Sequence, residues 1–158
     1  MHMMRPTMKA EVVGLRGKAS FEEMVEHFTS MGGEVVLLNP DAVCGRDHVV
    51  SAVMHAERAF REGTNRSKTL LTEIILYAAW ERQVGKALSK MRPGDNGRYV
   101  AVLIDIDEPR LDEIGMVRDD SLMEPDQFKM DRLGLRSCFL SPEEQAIERV
   151  AMVDLMKM

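Results

Sequence analysis

Short apolar runs flank a helical segment at the start of the chain, and this alternation restricts the fold most strongly. Residues 9–15 and 35–38 are β-branched runs of strand length, and residues 20–32 between them predict a helix. Ser20, with Glu23 three positions later, is the pattern of a capping box, which marks where that helix begins. A strand, a helix and a second strand in series predict an α/β domain.

Three helices and a long strand are predicted in the middle of the chain. Residues 47–62 are amphipathic and stop before a glycine, and Ser67 is the predicted cap of a second helix that runs to Trp80. A shorter helix is expected over residues 82–91. After a turn, residues 99–106 form a continuous apolar run, which predicts a central strand.

The last third of the chain is acidic and is interrupted by prolines and glycines. Residues 107–137 therefore predict short helices and turns, and residues 135–140 predict a further strand. Ser141 followed by Pro142 predicts the start of a terminal helix that runs to about Lys157.

Composition fits one domain with its own core. The chain has 158 residues, of which 45% are hydrophobic. The expected fold is a single domain of the α/β (α+β) class over residues 8–158, a small mixed β-sheet packed with several helices, after a flexible start at residues 1–7. Cys44 and Cys138 lack the spacing of a disulfide framework, and no apolar run of about 18 residues is present to cross a membrane. A cytoplasmic protein is expected.

Charge is divided unevenly along the chain, although the net charge is only −5. Residues 46–92 hold nine basic and five acidic side chains, whereas residues 101–158 hold seven basic and fourteen acidic ones. This asymmetry allows one face for an anionic partner and another for a cationic partner, while the acidic total argues against strong nonspecific DNA binding. Two ordinary solvated faces explain the same pattern.

Residue types used in catalysis and metal binding form no strong motif. The glycines lack the spacing of a phosphate-binding loop. His48 and His55 are seven residues apart on one predicted helix, about 10 Å of rise, which is too far for one tetrahedral metal. Cys44, near Arg46, is either an activated thiol or a small buried hydrophobe, and burial is the more common case. No catalytic residue, metal or cofactor is therefore expected.

Asp105 and Asp107 carry the one enzymatic alternative. They stand at the end of the predicted strand with their side chains on one face, an arrangement that two-metal enzymes use. Acids that end a strand are more often solvated turn residues. A small metal-dependent enzyme acting on a nucleotide or RNA is the alternative function that these two residues would support.

Basic side chains surround one predicted loop and the helix ends beside it. Spacings of three and four residues place two pairs of them on shared helix faces, where they could converge on phosphates. The alternative is a solvated face whose cations pair locally with Glu57 and Glu62. The candidates for phosphate contacts are Arg58, Arg61, Arg66, Lys68, Arg82 and Lys86.

Four segments in the middle of the chain share their order and spacing with one known family. They are HAERAF at 55–60, NRSK at 65–68, LTEIILY at 71–77 and RQV at 82–84. Each alone is an ordinary amphipathic pattern, and the series makes the similarity specific. The chain resembles the KEOPS accessory subunit family of PRPK-binding proteins, from the strand near Val35 to residues 148–151.

The resemblance implies a non-catalytic subunit that binds the atypical kinase subunit of the KEOPS complex, the assembly that makes threonylcarbamoyladenosine in tRNA. Archaeal members are similar to proteins that hold the single-stranded 3′ CCA end of tRNA. The resemblance therefore implies that the six basic residues bind RNA. The chain departs from the family pattern at Trp80 and Glu81, where Glu81 brings a negative charge close to the expected RNA. Trp80 is either a stacking surface for a base or a core residue.

The predicted terminal helix presents more apolar side chains than one core-facing stripe needs. Exposed apolar patches on small proteins usually mark interfaces, so a kinase-binding surface is expected there. The alternative is that Ile147, Val150 and Ala151 pack on the sheet and that only residues 153–158 remain free. A weak homodimer of the isolated protein is a further alternative. The expected partner-binding residues are Ile147, Val150, Val153 and Met156.

Overall fold

The computed structural model describes residues 8–157, with side chains through residue 156, so the expected flexible start at 1–7 lies outside the described residues. Among the helices of the described chain, none has the length and apolar character that a membrane-spanning segment needs. The strands are β1 (Ala10–Gly17), β2 (Glu34–Leu38), β3 (Arg98–Ile104) and β4 (Met116–Arg118). The α-helices are α1 (Phe21–Ser30), α2 (Arg46–Glu62), α3 (Leu70–Ala79), α4 (Val84–Met91), α5 (Gln127–Leu133) and α6 (Pro142–Met152).

The four strands form one sheet in the order β2-β3-β1-β4, and every neighbouring pair is antiparallel. Val12 of β1 and Val36 of β2 both lie opposite Val102 of β3. β1 and β2 therefore run in the same direction, but β3 lies between them. The α+β class in a single domain is confirmed. The sheet is antiparallel rather than mixed because the inserted β3 separates the two strands that would have formed a parallel pair.

The sheet separates two apolar clusters, and alternate residues of a strand belong to one or the other. In β3, Val102 belongs to the larger cluster, which is covered by α2 to α6, and Ala101 to the smaller one, which is covered by α1. Phe28 of α1 is fully buried on the smaller side. The α-helices from α2 to α6 thus lie on one face of the sheet.

Capping patterns fix the starts of the first and last helices. The Ser20 hydroxyl accepts from the Glu23 N–H, and the Glu23 carboxylate accepts from the Ser20 N–H, before α1. Ser141 and Glu144 form the same reciprocal pair before α6. Each pair satisfies two backbone N–H groups that the first helical turn leaves without partners. Both predicted helix starts are confirmed.

Two predictions in the last third of the chain are wrong in detail. Residues 135–140 form no strand, and the fourth strand is β4, whose three residues are too few to show alternation. α6 ends at Met152, and a separate 3₁₀ turn, Leu155–Lys157, follows it. The short helices and turns expected over residues 107–137 are confirmed. They include the 3₁₀ turns Leu111–Ile114 and Asp120–Met123.

Candidate functional site

The six basic residues predicted to contact phosphates come from the end of α2, the loop after it, and the connection from α3 into α4. All six side chains are exposed. Among the described residues, no ion pair joins Arg61, Lys68 or Lys86 to an acidic side chain, and the local pairing with Glu57 and Glu62 is not seen. These three cations therefore face solvent.

A buried carboxylate fixes the loop that carries Arg66 and Lys68. Glu73 of α3 is fully buried and accepts from the backbone N–H of Arg66 at 3.1 Å and of Ser67 at 2.9 Å. It also accepts from the Ser67 hydroxyl at 2.9 Å. The prediction that Ser67 caps α3 is therefore wrong, and Thr69 is the capping residue. The loop backbone is tied to the core through Glu73.

The end of the chain gathers three of the predicted arginines. Arg58 donates to the carboxylate of Asp154, with Nη2 and Oδ2 3.3 Å apart. Arg66 and Arg82 both donate to the backbone carbonyl of Met156, Arg66 at 3.5 Å. These contacts join residues 74 to 96 positions apart, so no local spacing could have predicted them.

The Asp154 carboxylate lies at a polar cavity of about 490 Å³ between α2, α3 and the end of the chain. The Tyr77 hydroxyl donates to one carboxylate oxygen, and His55 Nδ1 lies 3.0 Å from the other, which also accepts from Arg58. Burial, and next the hydrogen bond to Asp154, raise the pKa of the Tyr77 hydroxyl above its ordinary value. Tyr77 and Asp154 were not predicted as site residues because no motif links them.

Trp80 is packed against other side chains. It ends α3 in a left-handed conformation, with φ 58°, and its ring stacks on His48 with centroids 5.2 Å apart. Lys90 Nζ lies 4.5 Å and Arg149 Cζ lies 5.2 Å from the centre of the ring, within the range of cation–π attraction. The interpretation of Trp80 as a core residue is favoured over a stacking surface for a base.

Two of the predicted partner-binding residues in and just after the terminal helix pack into the core of the domain. Val150 and Val153 are 0% and 1% exposed in the larger apolar cluster, so neither side chain is accessible to a partner in this structure. With Ala146 they form one buried stripe at spacings of four and three residues. This stripe packs mainly against α2, not against the sheet as the alternative had it.

Exposed apolar side chains lie beside and beyond that stripe. Met152 is 48% exposed, Leu155 71% and Met156 37%, while Ile147 is half-buried. Of the predicted partner-binding residues, Ile147 and Met156 therefore remain accessible. Met152 and Leu155 were missed because the periodicity of the segment does not reveal which of several apolar stripes is buried.

Asp105 and Asp107 both contact Lys9, just before β1. Asp105 Oδ1 accepts from the Lys9 backbone N–H at 3.1 Å, and Asp107 Oδ1 accepts from Lys9 Nζ at 2.9 Å. β3 ends at Ile104, and Asp105 is left-handed with φ 56°, so strand alternation does not continue to Asp107. Within residues 8–157, no three histidine, cysteine, aspartate or glutamate side chains are grouped to hold a metal ion.

Cys44 and His48 form a buried structural pair. The Cys44 N–H donates to His48 Nδ1 at 3.0 Å, so Nε2 carries the proton and donates to the Ala78 carbonyl at 2.9 Å. Burial lowers the pKa of His48 to about 4 and raises the pKa of the Cys44 thiol. The interpretation of Cys44 as a buried hydrophobe is confirmed. Arg46 pairs with Asp120 at 2.6 Å.

Comparison with known proteins gives a match that covers most of the fold. The chain matches the family model described as kinase binding protein CGI-121 over residues 19–137, which is more than half of its length. The matched region contains all six basic residues and the α2 and α3 side of the polar cavity, and it ends before α6. No curated protein matches the chain.

Proposed function

This chain belongs to the CGI-121 family of kinase-binding proteins, and we propose that it acts as the non-catalytic accessory subunit of a KEOPS complex in the cytoplasm. In this role it binds the atypical kinase subunit. It also recruits tRNA, through the single-stranded 3′ CCA end, for threonylcarbamoyladenosine modification. The family match carries the proposal, because it covers all four segments, between residues 55 and 84, on which the resemblance to KEOPS accessory subunits is based.

The exposed basic cluster supports the RNA part of the proposal. Its six cations are all exposed, two of them lie on the loop after α2, and Glu73 holds the backbone of that loop in place. Neutralising phosphates with exposed cations provides most of the affinity in sequence-independent binding of nucleic acids. Arg61, Lys68 and Lys86 are proposed to make such contacts directly, since their side chains face solvent.

The exposed apolar end of the chain supports a kinase-binding surface there. Met152, Leu155 and Met156, with the half-buried Ile147, form this proposed surface. Interfaces are enriched in methionine and depleted in charge at their centres, and exposed apolar side chains that lie close together commonly mark one. All four residues lie beyond residue 137, where the family match ends. The match therefore gives no support to this surface, and the exposure of its apolar side chains is the argument for it.

The contacts of Asp105 and Asp107 support a non-catalytic role. Each carboxylate is paired with Lys9, through the backbone N–H or through Nζ. A two-metal site requires carboxylate oxygens that converge on the metal ions. The double variant Asp105→Asn/Asp107→Asn should keep kinase and tRNA binding. Loss of a hydrolytic activity that the unmodified protein shows with nucleotides or RNA would instead favour the enzymatic alternative.

Kinase binding is tested first, by titrating the cognate kinase subunit into the purified protein in a calorimeter. A one-to-one complex is expected, and Leu155→Ser should weaken it while leaving thermal unfolding unchanged. Phe139→Ser is the matched control, because Phe139 is also an exposed apolar side chain but lies outside the proposed surface. Equal weakening by both variants would remove the chain end from the interface.

tRNA binding is tested with Arg61→Glu/Lys68→Glu, which reverses two solvent-facing cations of the cluster. We expect roughly tenfold or greater loss of affinity at low salt, and a plot of log K against log salt that is shallower by about 1.4, as for two lost contacts to a single strand. Lys18→Glu/Arg136→Glu makes the same charge change at exposed residues outside the cluster. Transfer RNA without its CCA end should compete poorly, and equal competition would refute recognition of that end.

A further inference from the structure

Two side chains of α2 and one of α3 converge on one carboxylate. The Tyr77 hydroxyl of α3 donates to Asp154, His55 Nδ1 of α2 lies 3.0 Å from it, and Arg58 Nη2 lies 3.3 Å from it. A hydroxyl, an imidazole and a guanidinium around one anion are the donors that phosphate-binding sites use. The Asp154 carboxylate therefore marks a place where this fold binds an anion.

Two further arginines hold the same stretch of chain two residues later. Arg66 and Arg82 both donate to the backbone carbonyl of Met156, a neutral group. The stretch 154–156 thus lies among three guanidiniums and contributes one carboxylate to them. Glu62 also lines the cavity and offsets part of this positive charge. The positive charge that remains favours an anion with more than one negative oxygen.

The hold of residues 154–156 on the protein is mostly polar. Among the side chains that the structure describes, Val153 is the last buried one; α6 has already ended at Met152, and Leu155 is 71% exposed. Met156 is 37% exposed, so moving the stretch away would expose the covered part of this one apolar side chain. The hydrogen bonds of the stretch to arginine would be replaced by hydrogen bonds from arginine to the incoming anion. A phosphate group offers more charge and more acceptor oxygens than the carboxylate it would replace.

We propose that Tyr77, His55 and Arg58 form a binding site for a phosphate group, and that Asp154 occupies this site as a competing intramolecular ligand. Because it is tethered, the carboxylate acts at a high effective concentration, and an outside phosphate must displace it. The identification of the phosphate source as an RNA strand rests on the proposed function. Free inorganic phosphate has the same chemistry, so the test measures binding of both RNA and inorganic phosphate.

The test compares the full-length protein with its Asp154→Asn variant. The amide keeps the shape of the side chain and removes its charge. Asp112→Asn is the matched control, because Asp112 is an exposed acid in the 3₁₀ turn Leu111–Ile114, near α1 and β4. Binding of a short single-stranded RNA ending in CCA is followed by fluorescence anisotropy. Binding of inorganic phosphate is followed through the NMR signals of the His55 ring. Should Asp154→Asn fail to fold, Asp154→Ser replaces it.

We expect the Asp154 variant to bind the RNA roughly threefold to tenfold more tightly, as when one partly exposed charged competitor is removed, and to bind phosphate more tightly by a similar factor. The Asp112 control should bind like the unmodified protein. A gain for phosphate without any RNA binding would keep the anion site and refute the RNA function. Unchanged or weaker binding of both probes, or equal gains in Asp154→Asn and Asp112→Asn, would overturn the anion site even if RNA binds.

Discussion

His48 is a buried, neutral imidazole, so protonation of this residue opposes folding. Its pKa of about 4 in the folded protein lies below the ordinary 6.5, and the unfolded chain therefore binds the proton first as the pH falls. The contribution of His48 to the free energy of unfolding is fully present above pH 6.5. It is lost as the pH falls towards 4, at up to roughly 1.4 kcal/mol per pH unit.

Urea unfolding at a series of pH values between 6.5 and 4.5 measures this slope. A His48→Gln variant has no such titration, so its free energy of unfolding should vary less steeply over the same range, although it is lower throughout. The other three histidines, His2, His27 and His55, remain in both proteins and cancel in the comparison. Two parallel pH profiles would mean that His48 is protonated equally well in the folded and unfolded chains.

Val150 and Leu155 should respond in opposite ways to shortening. Val150 is fully buried against α2, so Val150→Ala should lower the free energy of unfolding by roughly 2 kcal/mol through lost burial and the cavity that remains. Leu155 is largely exposed, and Leu155→Ala should change the stability by less than about 0.5 kcal/mol. Under the proposed function, only Leu155→Ala should weaken kinase binding, by about 1 kcal/mol or more.

Unfolding in urea and calorimetry with the kinase subunit separate the two effects. Both measurements use the same protein samples, with Val150→Ala studied at a temperature where it is fully folded. A folded Val150→Ala protein that binds the kinase as poorly as Leu155→Ala would place the interface on the buried face of α6. Such a result would require the helix to detach from α2 on binding.

The loop between α2 and α3 depends on one carboxylate for its conformation. Glu73 accepts three hydrogen bonds from Arg66 and Ser67, and two of these come from backbone N–H groups. Glu73→Gln removes the charge that strengthens these bonds, and we expect a loss of about 1–3 kcal/mol in the free energy of unfolding. Amide hydrogen exchange at residues 66 and 67 should accelerate at least about tenfold, because the loop opens without global unfolding.

Hydrogen exchange by mass spectrometry on peptides covering residues 64–69 checks this expectation. Glu62→Gln is the control, since Glu62 is an exposed acid at the end of α2, close to the same loop. Unchanged exchange at residues 66 and 67 in Glu73→Gln would show that the loop is held by its other contacts. The same variant also reports on the RNA proposal, because a mobile loop should bind RNA more weakly.

Elements with local start and stop signals were predictable from the sequence. The capping box before α1 and the helix start at Ser141 before α6 depend on residues close together in the chain, and both are found where the sequence placed them. The cap of α3 was misplaced because the Ser67 hydroxyl does not bond to the first turn of α3. It donates instead to the buried carboxylate of Glu73. β4 was missed because three residues show no periodicity. Its strand conformation depends on pairing with β1, a tertiary contact that the segment itself does not reveal.

The candidate site was predictable only in its parts. The basic residues are visible in the sequence as pairs at helical spacing, and all six are exposed as expected. The convergence of three of them, Arg58, Arg66 and Arg82, on Asp154 and Met156 depends on α6 packing against α2, which brings together residues far apart in the chain. The same packing buries Val150 and Val153, so one tertiary contact both assembles the proposed anion site and covers two of the expected interface residues.

At the scale of the whole molecule, the two proposed surfaces share one segment. Leu155 and Met156 belong to the apolar surface proposed for the kinase, while Asp154 and the Met156 carbonyl contact the arginines proposed for RNA. A kinase that binds the apolar side chains and draws the segment away would expose the arginines to phosphate. Thermodynamic linkage then requires RNA to strengthen kinase binding by the same factor.

This coupling can be measured as a closed cycle of four affinities: RNA for the free protein and for its kinase complex, and kinase for the free protein and for its RNA complex. We expect the CCA-ended RNA to bind roughly three to ten times more tightly to the kinase complex, in which segment 154–156 is displaced. The kinase should bind the RNA-loaded protein more tightly by the same ratio. Contacts between the RNA and the kinase itself would also raise affinity, and Asp154→Asn separates the two causes. In that variant the competing carboxylate is already gone, so the ratio should fall towards one if displacement is the cause. A ratio that stays the same in Asp154→Asn would mean that the kinase acts by touching the RNA, and that the end of the chain does not link the two surfaces.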